Sequence, residues 1–164
     1  MARLVLVGLP ATGKTTVARA VGERLGCEAV DTDEVLASMV AESAPDHLRA
    51  VGEAQFRLDE VAALSASVAR EVVVSTGGGI VESQVARSIL MAQVTVWLDA
   101  GDDVLVARAG DGDRPLLGGD VRSALVALRA RRSRWYRDVS RAVVDASRPV
   151  EEVVDLVVRA MMAP

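Results

Sequence analysis

Residues 7–15 read Val7-Gly8-Leu9-Pro10-Ala11-Thr12-Gly13-Lys14-Thr15, and the order of these side chains decides the fold. Upstream, four apolar residues, Leu4-Val5-Leu6-Val7, run straight into Gly8, as in a short strand covered on both faces. Downstream, Val17, Val21 and Leu25 recur every four residues until Gly26, the spacing of a helix with a glycine stop. The segment is therefore a glycine-rich turn between a strand and a helix. It also holds Lys14, the only lysine among 19 lysine and arginine residues. Arginine replaces lysine everywhere else, so this one position asks for a reason.

The spacing Gly8-x4-Gly13-Lys14-Thr15 is the Walker A arrangement. Its glycines let backbone N–H groups curl around a phosphate, and the helix N-terminus adds partial positive charge. Lysine reaches the outer phosphates, and the threonine hydroxyl can hold Mg²⁺. Nucleotide contacts are thus expected from Ala11, Thr12, Gly13, Lys14, Thr15 and Thr16. The phosphoryl acceptor has to be found elsewhere in the chain.

A chain of 164 residues with 51% apolar content describes one ordinary domain with a sizeable core. A net charge of −4 argues against a nucleic-acid-binding surface. Cys27 is the single cysteine and cannot form an internal disulfide. With no long apolar run and no leader-like stretch, the expectation is a cytoplasmic protein that does not engage a membrane. Further apolar runs at 28–30, 72–74, 94–98 and 142–144 predict four more strands. Helical patterns fall between them at 52–69, 83–91 and 120–139, with a last helix beginning near Pro149. This alternation implies a parallel α/β sheet that binds ligands at the carboxyl ends of its strands.

The second predicted strand leads into Asp31-Thr32-Asp33, at the ligand end of the sheet. One carboxylate can hold water on Mg²⁺ while the other accepts a hydrogen bond from an attacking hydroxyl. Asp33 also suits the cap of a helix starting at Glu34. Further along come Gly52-Glu53-Ala54-Gln55-Phe56-Arg57, Ser75-Thr76-Gly77-Gly78-Gly79, Arg114-Pro115-Leu116-Leu117 and Arg132-x3-Tyr136. Each has a plainer reading. Arg57 can pair with Glu53 or Glu60, the glycines can be a simple turn, and most arginines between Arg129 and Arg141 are expected to face solvent. Phe56 and Trp97 read as core, although Phe56 could also pack on a substrate ring, and His47 is expected on a helix surface without a catalytic part.

Taken together, in this order and spacing, the motifs resemble shikimate kinase, a small P-loop kinase family, over nearly the whole chain. The resemblance implies a three-layer P-loop NTPase fold with a five-stranded parallel sheet in the order 2-3-1-4-5. It also implies a core of residues 1–32, 70–109 and 121–164, a substrate-binding subdomain at about 33–69 and a lid at about 110–120. The implied reaction is ATP- and Mg²⁺-dependent phosphorylation of the 3-hydroxyl of shikimate by a monomer. Arg57 and Arg132 would clamp the substrate carboxylate, Gly78 and Gly79 would allow close approach, and Asp33 would accept from the ring hydroxyls. Lys14 and Arg114 would neutralise charge on the transferred group, Thr15 and Asp31 would hold Mg²⁺, and Arg108 and Arg148 would contact the nucleotide. The alternatives are a kinase of another small hydroxy acid, such as gluconate, and a catalytically silent nucleotide-binding relative.

Overall fold

The computed structural model describes residues 1–110 and 120–163. Its strands are β1 (Leu4–Val7), β2 (Ala29–Asp31), β3 (Val73–Ser75), β4 (Thr95–Asp99) and β5 (Ala142–Asp145). They pair in parallel, as the alternation predicts, in the order β2-β3-β1-β4-β5 that the resemblance implies. The helices are α1 (Lys14–Leu25), α2 (Thr32–Val40), α3 (Ala44–Val68), α4 (Gln84–Met91), α5 (Asp102–Gly110), α6 (Val121–Val139) and α7 (Val150–Met162). α1 packs on β2, β3 and α7, whereas α6 packs on β4, α4 and α5. Covered from both sides, β1 has all four residues at 0% exposure, which is why its sequence is a continuous apolar run rather than an alternating one.

The four later strands each end one residue beyond the apolar run that marks them, at Asp31, Ser75, Asp99 and Asp145. These polar residues still pair in the ladder, Asp31 with Ser75 and Asp99 with Asp145. Hydropathy misses them because they face the ligand edge and not the core.

Three helices depart from the sequence expectation. α2 starts at Thr32 and not at Glu34, and its cap is Asp31, whose Oδ1 accepts from the Asp33 N–H at 2.9 Å. Asp33 is thereby not the cap, and its carboxylate is available to the site. α3 begins at Ala44 instead of Gly52, because the Ser43 hydroxyl accepts from the Asp46 N–H and Pro45 suits the first turn. Gly52 is a bend inside this helix, at φ 80° and ψ 167°, and not its start. α5 had no clear sequence signal, since only Leu105 and Ala109 of its nine residues are buried.

Gly8 sets the exit from β1. A Cβ there would stand 2.3 Å from the Leu98 carbonyl oxygen on the neighbouring strand, with φ at +152°. Backbone cannot withdraw as a flexible side chain can. Gly8→Ala is therefore expected to lower stability by about 1–3 kcal/mol, the usual cost of overpacking, as measured by urea unfolding.

Candidate active site

Between β1 and α1 the chain curls through left-handed backbone at Ala11 (φ 67°) and Gly13 (φ 88°). The Thr12 hydroxyl closes the curl by donating to the Leu9 carbonyl at 3.0 Å. Gly13 caps α1 without a side-chain hydrogen bond, and no acidic residue stands in the first turn. The first N–H groups of α1 and its positive dipole end consequently face the loop with no internal anion, a fit for phosphate. Lys14 Nζ lies across the loop, donating to the carbonyls of Gly8 at 3.0 Å and Leu9 at 2.8 Å. The lysine is 8% exposed, held in the concavity where an anion would sit.

Beside the loop, Thr15 Oγ1 donates to Asp31 Oδ2 at 2.7 Å, and Ser75 Oγ donates to the same oxygen at 3.0 Å. A carboxylate and two hydroxyls form a hard oxygen set, the donor chemistry preferred by Mg²⁺. No cluster of three histidine, cysteine or acidic side chains that could hold a metal occurs among the described residues. An ion here would take the rest of its shell from phosphate and water, the usual arrangement for Mg²⁺ at nucleotide sites.

On the far side of the loop a cavity of about 270 Å³ is lined by Thr12, Thr16, Val17, Arg108, Arg148 and Val153. Arg108 donates through Nη2 to the Ala146 carbonyl at 2.8 Å, which fixes its planar head along this wall. Arg148 is held by Asp145 at 3.4 Å and Glu152 at 3.5 Å. Its lining combines aliphatic side chains with two guanidinium groups, a suitable place for a nucleotide base.

A second cleft, of about 480 Å³, is lined by Asp33, Phe56, Arg57, Gly78, Gly79 and Arg132, with Pro10 of the loop at its edge. Arg57 comes from the part of α3 beyond the bend and Arg132 from the middle of α6. Both are held by buried carboxylates. Arg57 Nη1 donates to Glu60 at 2.5 Å, and Arg132 Nε donates to Glu82 Oε1 at 2.8 Å. Glu82 lies 3.9 Å from Arg57 as well, so one carboxylate spans both guanidinium groups. A Cβ on Gly79 would meet Arg57 Nη1 at 2.4 Å, and this absence of a side chain makes room for the arginine. Tyr136, at 0% exposure, donates to the Gly78 carbonyl at 2.5 Å and fixes the glycine turn.

The electrostatics favour an anionic ligand with hydroxyls. Desolvation raises the Asp33 carboxyl above its ordinary 3.8, and Asp31 adds to this, while Lys14 and Arg57 oppose it. Burial likewise raises Glu60, against the pull of Arg57. Arg57 Nε is buried with no hydrogen-bond partner. The guanidinium pair thus retains donor capacity after Glu60 and Glu82 are served.

The structure gathers Asp33, Arg57, Gly78, Gly79 and Arg132 around one cleft, and Ala11, Thr12, Gly13, Thr16, Arg108 and Arg148 around the other cavity. Lys14, Thr15 and Asp31 are in neither of these linings: Lys14 lies across the loop and Thr15 bonds Asp31 beside it, while Arg114 falls outside the described residues. Arg57 pairs with Glu53 and Glu60 and also lines the cleft, so both readings of it hold at once. Arg131, Arg134, Arg137 and Arg141 are exposed, as expected of most of that run. Arg129 is instead half-buried, bonded to Asp99 at 2.8 Å and Asp102 at 2.7 Å. His47 is a clear correction: it is 6% exposed and not on the helix surface, because the carboxylates of Glu42 and Asp59 give both of its ring nitrogens partners. Sequence reasoning assigned no role to Glu82 or Ser75. Ser75 could have been found as a hydroxyl at the ligand end of a strand; Glu82 carries no local signal, since its partners lie 25 and 50 residues away.

The family model for shikimate kinase matches residues 10–162. A shikimate kinase of Corynebacterium jeikeium is 34% identical over 158 residues, spanning 94% of this chain and 85% of that protein. A solved shikimate kinase of Acinetobacter baumannii, in complex with shikimate, superimposes with a TM-score of 0.86 at 28% identity, covering 98% of this chain and 94% of that one. The shikimate kinase of Bacteroides thetaiotaomicron shares the fold, with a TM-score of 0.92 at 23% identity and 98% coverage of each chain.

Proposed function

The chain belongs to the shikimate kinase family, and on that premise we propose that it transfers the γ-phosphoryl group of ATP to the 3-hydroxyl of shikimate. The observation that carries the reading is the placement of Arg57 and Arg132 in one cleft with Asp33, adjoining the phosphate loop through Pro10. Shikimate is a small ring carrying a carboxylate and three hydroxyls. A pair of guanidinium forks suits the carboxylate, and a carboxylate acceptor suits the hydroxyls.

In the reaction a bond forms between the 3-oxygen and the γ-phosphorus, the bond from that phosphorus to the bridging oxygen breaks, and the hydroxyl proton passes to the Asp33 carboxylate. Asp33 accepts the hydrogen bond from the attacking hydroxyl and orients it; ADP leaves as the other product. Lys14 and the α1 N-terminus stabilise charge on the phosphate oxygens. Thr15 and Asp31 would hold Mg²⁺, with Ser75 steadying the carboxylate. When bound, Mg²⁺ neutralises charge on the phosphates as the transfer proceeds. The transfer depends on alignment and charge neutralisation more than on proton removal. The segment at about 33–69 acts as the acceptor-binding subdomain, and the cavity flanked by Arg108 and Arg148 takes the adenine. Arg114, within the segment at about 110–120, is assigned to the phosphates by the family motif alone.

Two results test these roles. Arg57→Ala and Arg132→Ala should each raise KM for shikimate roughly 10- to 100-fold, the value of a charge-assisted hydrogen bond, with KM for ATP little changed in a coupled ADP-release assay. Asp33 is needed as the carboxylate, so kcat/KM for shikimate should fall as pH drops through its raised pKa. That acid limb should lie above 3.8, and the residual rate of Asp33→Asn should lack it.

A further inference from the structure

His47 sits where α3 bends. It lies in the segment before Gly52, and the segment after the bend carries Phe56, Arg57, Asp59 and Glu60. Its Nδ1 is 2.6 Å from Glu42 Oε1, in the connection between α2 and α3, and its Nε2 is 2.7 Å from Asp59 Oδ2. A neutral imidazole has one N–H donor, whereas ionised carboxylates only accept. Two short contacts to two carboxylates therefore call for the doubly protonated ring. Those are the charged groups that face it. Gln55, neutral, donates to Asp59 Oδ1 at 2.9 Å, the Phe56 ring lies tilted at 6.2 Å, and Asp46 pairs with Arg49 instead.

The tie has a position relevant to the acceptor. Ser43, Ala44, Pro45 and Leu48, on one side of the bend, and Phe56 and Arg57, on the other, all line the cleft. His47 lies within the first of these groups in the chain, next to Leu48, and its ring bonds Glu42 beside that group and Asp59 beside the second. Resting on the phosphotransfer reading given above, we propose that His47 is a positioning residue: as an imidazolium it ties Glu42 to Asp59 across the Gly52 bend and so holds the two halves of the acceptor wall in register. It does not touch the substrate. Its effect passes through Phe56 and Arg57, so it belongs to KM for shikimate and not to the nucleotide side.

The proton is the control. Hydrogen bonds to Asp59 and then to Glu42 raise the imidazole above its ordinary 6.5, and the same bond lowers Asp59. For a group raised on folding, the stabilisation is complete below the unfolded value and is lost as pH rises through the folded one. The wall is thus tied below the raised pKa of the imidazole and loosens as pH rises through it.

His47 is the chain's single histidine, so in untagged protein its ring gives one Cε1–H resonance to follow by NMR. Two titrations are run on the same sample: that resonance, and steady-state KM for shikimate and for ATP. The expected result is a midpoint above 6.5 shared by the resonance and by a rise in KM for shikimate of roughly 5-fold or more, with KM for ATP flat. Asp59→Asn keeps a hydrogen-bonding side chain without its charge and should move both midpoints together to lower pH. A resonance that titrates at or below 6.5, or a flat KM for shikimate while the ring titrates, overturns the proposal. Absence of shikimate turnover at every pH contradicts the phosphotransfer reading and the proposal with it, whereas turnover with a flat KM overturns the proposal alone.

Discussion

Parallel pairing puts the carboxyl ends of all five strands on one edge, and the remaining architecture follows from what the chain places there. β1 ends in Gly8, against the Leu98 carbonyl, where no side chain fits. The other four strands end in Asp31, Ser75, Asp99 and Asp145. A polar residue in the middle of a doubly covered strand would be desolvated without a partner, so it is confined to the rim where ligand and water can reach it. Of these strand-end residues, Asp31 and Ser75 meet Thr15 beside the phosphate loop. Asp31 serves this arrangement three times, as a ladder partner, as the cap of α2 and as the acceptor for Thr15 and Ser75.

The second constraint is charge. Arg57 and Arg132 line the cleft, and a buried cation is costly unless it is paired and hydrogen-bonded. Glu60 and Glu82 supply the pairing, and they also fix the direction of each guanidinium before substrate arrives. Preorganisation of this kind lowers the ordering cost of binding. The same reasoning explains the lone lysine. A guanidinium is broad and planar and suits a carboxylate in an open cleft, while a compact ammonium on a flexible stem fits among the Gly8 and Leu9 carbonyls within a tight loop.

Local patterns made much of this legible in the sequence. The loop and the parallel alternation are written in short stretches whose spacing has a direct physical meaning, whereas the residues of the acceptor cleft are marked by the resemblance of their motifs to the family. The start of α3 was hidden because Gly52, normally a breaker, bends the helix and does not begin it. Glu82 was hidden because its work is defined by Arg57 and Arg132, which approach it only in the folded chain. The burial of His47 has a related cause: a polar residue on a helix defaults to the surface unless it has partners, and Asp59 becomes its neighbour only once α3 bends. Sequence therefore located the donors that face ligand better than the counter-charges that stand behind them.

The central claim is that this set of donors selects a ring carboxylate bearing hydroxyls and phosphorylates it. Coupled ADP release, measured with ATP and Mg²⁺ against a panel of small hydroxy acids, tests it most directly. The account predicts saturable turnover of shikimate to the 3-phosphate, well above any rate with gluconate. Preferential turnover of gluconate, or no turnover of shikimate by folded protein that binds ATP, would contradict it.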